Sequence, residues 1–183
     1  MLKQNDRVIY PGHGVAVVED IIEKSIGGTV LPFIKLNFLF KDMTILVPTY
    51  NADAVGIRFP CTPEQAQEIV AELSKKPTKQ LHSFDFTPSG WNKRNKDYQE
   101  KIQQGIIFDL TQTYRDLMNI AQQKDLSFGE RNILSVLEEL ISQELQVVLN
   151  KEKDEVLQII RSPFKQYIFE SDDRFTQETS ALP

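Results

Sequence analysis

Apolar residues recur in short runs along the first sixty residues, separated by turn residues. Ile34, Leu36 and Phe38 alternate with polar neighbours, the period of a strand with one buried face. Gly27-Gly28 is typical of the turn in a hairpin. Strands are predicted over residues 7–10, 15–24, 34–38, 43–48 and 55–58. Because the five runs leave little room for a helix, they predict a small curled β-barrel.

The period changes to that of a helix after residue 61. In Thr62-Pro63-Glu64-Gln65, threonine can cap a helix, proline suits its first position, and glutamine can return a side-chain hydrogen bond. The apolar face of this helix would carry Ala66, Ile69, Val70 and Leu73. We therefore place a domain boundary between residues 60 and 61.

Further helices are predicted beyond a loop at residues 77–90. One runs over residues 91–104 and ends at Gly105, and another carries an apolar stripe from Leu110 to Ala121. Ser127 and Glu130 form a second capping box ahead of the longest amphipathic run, residues 133–148. A short helix follows near 153–160. The pattern predicts an α+β protein with a β domain at 1–60, a helical domain at 61–161 and a flexible acidic tail at 162–183.

Composition limits the class of protein. The chain has 183 residues, of which 40% are hydrophobic, enough for two small cores. The single cysteine, Cys61, excludes an intrachain disulfide and a cysteine-rich zinc site. The chain begins without an apolar signal region and contains no apolar run of about 20 residues. We expect a soluble, cytoplasmic protein that does not bind membranes and needs no partner copy.

Charge is distributed unevenly along the chain. The net charge of −5 argues against a protein that coats nucleic acid. Residues 73–96, however, carry six Lys or Arg residues against Asp85 alone, and acidic residues gather after position 111. The basic segment is interpreted either as a solvated face or as a contact for phosphates.

The histidine, glycine and glutamate residues of the chain do not show the spacings that are typical of catalytic, metal-binding or nucleotide-binding sites. His13 and His82 fall in separate predicted loops, and no metal-binding spacing occurs. Gly12-His13-Gly14 lacks the third glycine of a dinucleotide loop, and Glu138-Glu139 falls on the wet side of a predicted helix. We expect no catalytic residue, metal or cofactor, and therefore no enzyme.

The only tryptophan, Trp91, lies among cations in Trp91-Asn92-Lys93-Arg94-Asn95-Lys96. A flat apolar ring flanked by Lys and Arg can enter a base step while the cations hold phosphates. Trp91, Tyr98 and Ile102 also share one face of an ideal helix, a pattern typical of packing residues. Residue types alone leave both interpretations open.

Four segments together resemble the bacterial CarD/CdnL family of transcription regulators: residues 8–15 (VIYPGHGV), 42–48 (DMTILVP), 51–58 (NADAVGIR) and 91–96 (WNKRNK). The resemblance implies a Tudor-like barrel that docks on the RNA polymerase β subunit and a helical domain that touches promoter DNA. It implies that Trp91 wedges into the minor groove at the upstream edge of the melted region. Lys93, Arg94 and Lys96 would contact the backbone there.

Residues at other family positions modify these expectations. Lys24 and Leu46 stand where many members carry arginine, which implies a less ionic polymerase dock formed with Ile26 and an edge strand near residues 45–48. Asn119 and Ile120 replace basic residues, leaving Lys124 and Arg131 as the other DNA-contacting cations. DNA affinity without polymerase is therefore expected to be weak. The alternatives are a polymerase adaptor without DNA contact, and an enzyme or ligand-binding module with a pocket at His13 or His82.

Overall fold

The computed structural model describes residues 2–77 and 87–164, which form a β-sheet followed by a group of helices. The α+β class is as predicted. The sheet is antiparallel, with strand order β1-β2-β3-β4. Its strands are β1 (Arg7–Tyr10), β2 (Gly14–Ile26), β3 (Thr29–Phe38) and β4 (Thr44–Pro48). The helices are α1 (Ala52–Val55), α2 (Pro63–Leu73), α3 (Pro88–Gln104), α4 (Ile107–Ala121), α5 (Phe128–Leu149) and α6 (Lys153–Arg161).

The sheet, with α1, buries its own small core, in which Val8, Val18 and Leu36 are fully inaccessible. A register shift between Val18 and Asp20 interrupts the pairing of β2 with β3. Such bulges increase the local twist, which helps a sheet to curl. Beyond the bulge the β2–β3 hairpin continues away from this core to an exposed turn at Gly27-Gly28.

The predicted fifth strand at residues 55–58 is wrong. Residues 52–55 form one helical turn, which Gly56 ends in the left-handed conformation at φ 82°. Only Arg58 returns to the sheet, through an isolated bridge to Ile9. The Ile9 amide donates to Arg58 O at 2.7 Å, and the Arg58 amide donates to Ile9 O at 3.2 Å. The sheet is therefore four-stranded and joined to this segment by a single bridge.

The two predicted capping boxes are confirmed, with Thr62 and Gln65 at α2 and with Ser127 and Glu130 at α5. Helix α3 begins at Pro88, three residues earlier than predicted, because Thr87 accepts a hydrogen bond from the Gly90 amide and caps it. Of the predicted loop at 77–90, residues 78–86 lie outside the described part of the chain.

Helices α2 to α6 bury a second core, separate from that of the sheet. A buried ion pair, Arg115 Nη1 to Glu72 Oε1 at 2.7 Å, ties α4 to α2. The expectation of a tail from residue 162 is wrong for its first residues: Ser162–Phe164 form a 3-10 turn, and Phe164 packs its buried ring 6.1 Å from that of Tyr114. Residues 165–183 lie outside the described residues. None of the helices described is long and apolar enough to cross a membrane.

The sheet and the helices meet where β2 packs against α5. The Val15 amide donates to Gln143 Oε1 at 3.3 Å, which joins the beginning of β2 to α5. Helix α5 therefore contacts the sheet near one end, and its other end lies in the helical region alone.

Candidate nucleic-acid interface

Trp91 lies in the first turn of α3. Tyr98 and Ile102, which share its face, are buried at 7% and 6% exposure. Trp91 itself is only partly buried and packs against the edge of the helical core. The packing interpretation is therefore right for Tyr98 and Ile102. For Trp91 the packing interpretation applies in part, because some of its surface stays accessible, and contact with DNA stays a prediction.

Gly129, in the first turn of α5, provides the surface on which the Trp91 ring lies. A Cβ atom on Gly129 would overlap with Trp91 Cζ2 and would lie 2.9 Å from Cη2. Gly129 is not among the glycines with positive φ, so conformation does not require glycine here. The absence of a side chain is what admits the indole ring.

Phe128, the first residue of α5, is the most exposed of the large hydrophobic residues described, at 81%. It directly precedes Gly129, the residue on which the Trp91 ring lies. Sequence reasoning missed both Phe128 and Gly129. The available signal was a phenylalanine outside the apolar stripe of α5, whose buried hydrophobic positions begin at Ile133.

Two of the predicted DNA-contacting cations face a buried carboxylate. Arg94 Nη2 lies 3.4 Å from Glu130 Oε1, and Lys124 Nζ lies 3.3 Å from Glu130 Oε2. The side chain of Arg94 is only 13% exposed, and its guanidinium carbon lies 5.9 Å from the centre of the Trp91 ring. Arg94 therefore supports the tryptophan, at the outer limit for a cation–π contact.

Glu130 stays ionised under this interface. Burial by itself raises the pKa of the Glu130 carboxyl, but the Ser127 amide and hydroxyl and the Lys124 ammonium together lower it below the ordinary value of 4.5. The fixed negative charge attracts Arg94 and Lys124 to the beginning of α5 beside the indole ring.

The remaining predicted cations are exposed to solvent. Lys96 is 80% exposed and lies 3.8 Å from Glu100, a distance at which an ion pair is weak. Lys93 and Arg131 are exposed as well, and no ion pair joins either of them to another described residue. Lys93 follows Trp91 by two residues, and Arg131 follows Gly129 by two. Exposed Lys and Arg side chains therefore lie close in sequence both to Trp91 and to the glycine that it contacts.

The predicted polymerase-binding residues lie on one face of the sheet. Leu46 pairs with Lys35, which pairs with Asp20, and Lys24 and Ile26 follow Asp20 at even spacing. Directly paired residues and residues two apart point to the same side. Lys24 and Ile26 are exposed, and Leu46 is partly buried. Strand β4 pairs only with β3, which makes it the edge strand expected there.

Of the two histidines considered from the sequence, the structure describes His13. The His13 ring lies 5.0 Å from that of Tyr10, and its Nδ1 lies 3.1 Å from Pro11 O, so it packs within a turn. His82 lies outside the described residues. No group of three or more His, Cys, Asp or Glu residues in the described chain could hold a metal ion. Burial raises the pKa of the Cys61 thiol to about 12, so it stays protonated at neutral pH.

Comparison with known proteins assigns both halves of the chain. Residues 2–59 match the family described as the CarD-like/TRCF RID domain, and residues 79–161 match that described as CarD, C-terminal domain. The chain is also 27% identical over 152 residues to a Bacillus subtilis (strain 168) protein named "Putative transcription factor YdeB". That similarity covers 81% of this chain and 92% of the relative.

Proposed function

Since this chain belongs to the CarD/CdnL family and is a transcription regulator, we propose that it binds the RNA polymerase β subunit and stabilises the open promoter complex. In this proposal, a Tudor-like sheet region holds the polymerase. The helical region contacts promoter DNA at the upstream edge of the melted segment. The protein performs no catalysis and acts through the free energies of binding alone.

The observation that carries the DNA-contact part is the setting of the indole ring. Trp91 is seated on Gly129, next to the guanidinium of Arg94, and keeps part of its surface accessible. Phe128, the residue before Gly129, adds a second and highly exposed aromatic side chain at the start of α5. Exposed aromatic side chains of this kind are costly in water and are suited to stacking on bases or entering a base step.

The wedge acts through the difference between closed and open DNA. Unstacking a base step costs a few kcal/mol, and a ring that occupies the opened step offsets part of that cost. Lys93, Lys96 and Arg131 would contact phosphates and set the position of the ring without reading sequence. Since the ring contacts only opened DNA, it slows collapse of the bubble.

Docking on polymerase would use the face of the sheet that carries Lys24, Ile26 and Leu46. Edge strand β4 could extend a sheet of the partner through main-chain hydrogen bonds, while these side chains provide specificity. Leu46→Asp places a charge in that surface and is expected to abolish capture of the β subunit. Retained capture by Leu46→Asp would move the docking surface elsewhere.

The test of the wedge is the lifetime of open complexes with purified polymerase, measured after addition of a competitor. Trp91→Ala is expected to bind the β subunit normally and to lose most of the gain in lifetime. Tyr50→Ala is the matched control, because Tyr50 is 72% exposed but follows β4 in the sheet region. An unchanged lifetime with Trp91→Ala would refute the wedge.

An adaptor that binds polymerase without touching DNA is the second candidate. The partial burial of Trp91 and the pairing of Arg94 and Lys124 with Glu130 favour it, since these groups already have partners inside the protein. Footprinting separates the two functions. The adaptor leaves upstream promoter DNA unprotected beyond what polymerase protects alone, and the wedge adds protection at the upstream edge of the bubble.

A further inference from the structure

Arg58 connects the sheet to the helices. Its main chain belongs to the sheet through the bridge to Ile9. Its guanidinium crosses to the helical region, where Nε and Nη2 donate to Gly105 O at 3.1 and 2.7 Å. Nη1 and Nη2 also donate to the two carboxylate oxygens of Glu144, each at 2.8 Å. One side chain thus contacts the end of α3 and the C-terminal part of α5 at the same time.

Glu144 is enclosed by these contacts. It is 3% exposed, and it also accepts a hydrogen bond from the Cys61 amide at 2.9 Å, just before α2. A paired carboxylate with this geometry restricts both the distance and the angle between its partners. An enclosed ion pair of this kind is weak evidence for net stability, because the cost of removing the charges from water offsets much of their attraction.

The turn between β1 and β2 makes two further contacts with the helices. Gly105 lies against Pro11 so closely that a Cβ atom there would be 3.0 Å from the Pro11 Cβ. A Cβ atom on Gly14 would overlap with Gln143 Oε1, the atom that accepts from the Val15 amide. Together with the Arg58 fork, these contacts define the junction, which joins the two regions at three separate points.

We propose that the junction holds the Trp91 face at a fixed angle to the polymerase-docking face, and that Arg58 and Glu144 are positioning residues for open-complex stabilisation. The inference rests on the proposed function. A tethered second contact depends on its effective concentration at the target, and a fixed joint avoids the loss of rotational freedom when both contacts form.

The length of α3 makes the position of Trp91 sensitive to the angle at the junction. Arg58 contacts Gly105 directly after the last residue of α3, whereas Trp91 lies in its first turn. Trp91 and Gly105 are fourteen positions apart, which corresponds to about 21 Å along the helix at 1.5 Å per residue. A change of about 10° at the junction would then move the indole ring by about 4 Å, roughly the spacing of stacked bases.

The test measures two quantities separately: the distance distribution across the junction and the lifetime of the open complex. Spin labels are attached at Asp42→Cys and Gln99→Cys, two exposed positions on either side of the junction. All labelled proteins carry Cys61→Ala, because Cys61 is a free and only partly buried thiol that the label could otherwise modify. Arg58→Ala is expected to broaden the distance distribution, to keep β-subunit binding and to lose most of the gain in open-complex lifetime. Arg58→Lys, which keeps the charge without the fork, is expected to give intermediate values.

Arg161→Ala is the matched control. Arg161 forms a similar fork with Glu138, at 3.0 and 2.6 Å, but both residues lie in the helical region. Its loss is expected to reduce stability and to leave the distance distribution and the lifetime at wild-type values. A role in stability alone predicts instead that Arg58→Ala and Arg161→Ala behave alike.

Wild-type distances and full lifetime with Arg58→Ala would overturn the inference. If Arg58→Ala does not fold, as judged by circular dichroism, Gln143→Ala replaces it. This variant removes the hydrogen bonds of Gln143 to Val15 and to Glu139 and leaves the contacts of Arg58 in place. Unchanged distances and lifetime with this variant overturn the inference as well. If the wild type itself does not prolong the open complex, the proposed function fails, and the distances still decide whether Arg58 fixes the angle.

Discussion

The two ends of α5 use the same chemistry in different ways. At each end a glycine makes room for a large side chain, Gly129 for Trp91 and Gly14 for Gln143, and an arginine faces a buried glutamate. At the junction the arginine forms a bidentate contact at 2.8 Å. At the Trp91 end the corresponding distance is 3.4 Å, and Phe128, the first residue of α5, is 81% exposed.

The difference indicates which end holds the molecule together and which end remains available. At the junction the carboxylate of Glu144 has hydrogen bonds to both oxygens and is almost inaccessible. The Trp91 face has a supported ring and exposed aromatic surface that no described residue covers. A binding surface needs both a fixed position and unsatisfied apolar area, and only this end of α5 has both.

Glu130→Ala should have the largest effect on this comparison, because it removes the buried carboxylate that faces both Arg94 and Lys124 and that takes part in the capping box of α5. We expect the free energy of unfolding to fall by about 3 kcal/mol, as measured by urea denaturation. Glu100→Ala serves as the control, since Glu100 is 57% exposed and lies 3.8 Å from Lys96. Its cost should stay below about 0.5 kcal/mol. Equal losses for the two variants would mean that Glu130 does not organise the Trp91 face.

Gly129→Ala should lift the Trp91 ring from its seat. We expect a loss of about 1–2 kcal/mol of stability and a shift of tryptophan emission to longer wavelength, because the added methyl group overlaps with the ring. Ser135→Ala, at an exposed position of the same helix, should change neither quantity beyond a few tenths of a kcal/mol. Unchanged tryptophan emission in Gly129→Ala would contradict the close contact between the Trp91 ring and Gly129.

Acid should loosen the Trp91 face, with an effect smaller than that of either substitution. The pKa of Glu130 is lowered from 4.5 in the folded protein, so the unfolded chain binds more protons between the two values. The contribution of Glu130 is present above pH 4.5 and is lost as the pH falls through its folded pKa. Thermal melts across this range should show a smaller acid dependence in Glu130→Gln than in the wild type. Identical slopes would refute this assignment.

Lys96→Ala should have the smallest effect on stability, below about 0.5 kcal/mol, because its side chain is 80% exposed. Under the proposed function it weakens upstream DNA contact and lowers the salt dependence by about one released counterion. Arg94→Ala is the contrasting variant, expected to destabilise the protein measurably. If both variants affect only DNA contact, Arg94 does not support the ring as the structure suggests.

Local signals predicted much of the fold. The caps at Thr62 and Ser127 depend on residues three positions away, so they could be read directly from the chain. Thr87-Pro88 carries the same signal for a helix start as Thr62-Pro63, a threonine cap followed by proline, so the start of α3 is also encoded locally. The single turn of α1 is too short to show a helical period, which explains the false fifth strand.

Contacts distant in sequence could not be predicted in the same way. Arg58 and Glu144 are 86 residues apart, and no periodic pattern connects them. The seating of Trp91 on Gly129 and the pairing of Arg94 with Glu130 are equally non-local. The sequence and the family resemblance named Arg94 and Lys124, which face Glu130 at the start of α5, but neither named Gly129, on which the Trp91 ring lies. They did not separate the cations with structural partners, Arg94 and Lys124, from the exposed Lys93, Lys96 and Arg131.

The spacing of Glu130 and Glu144 along α5 fixes the angle between the two side chains around the helix axis. Fourteen residues at about 100° each bring the second carboxylate to within roughly 40° of the first around the helix axis. Insertion of one residue between them would turn one acid about 100° away from its arginine and lengthen the helix by about 1.5 Å. The length of this segment is therefore constrained as well as its buried residues, and its exposed positions should tolerate substitutions but not insertions or deletions.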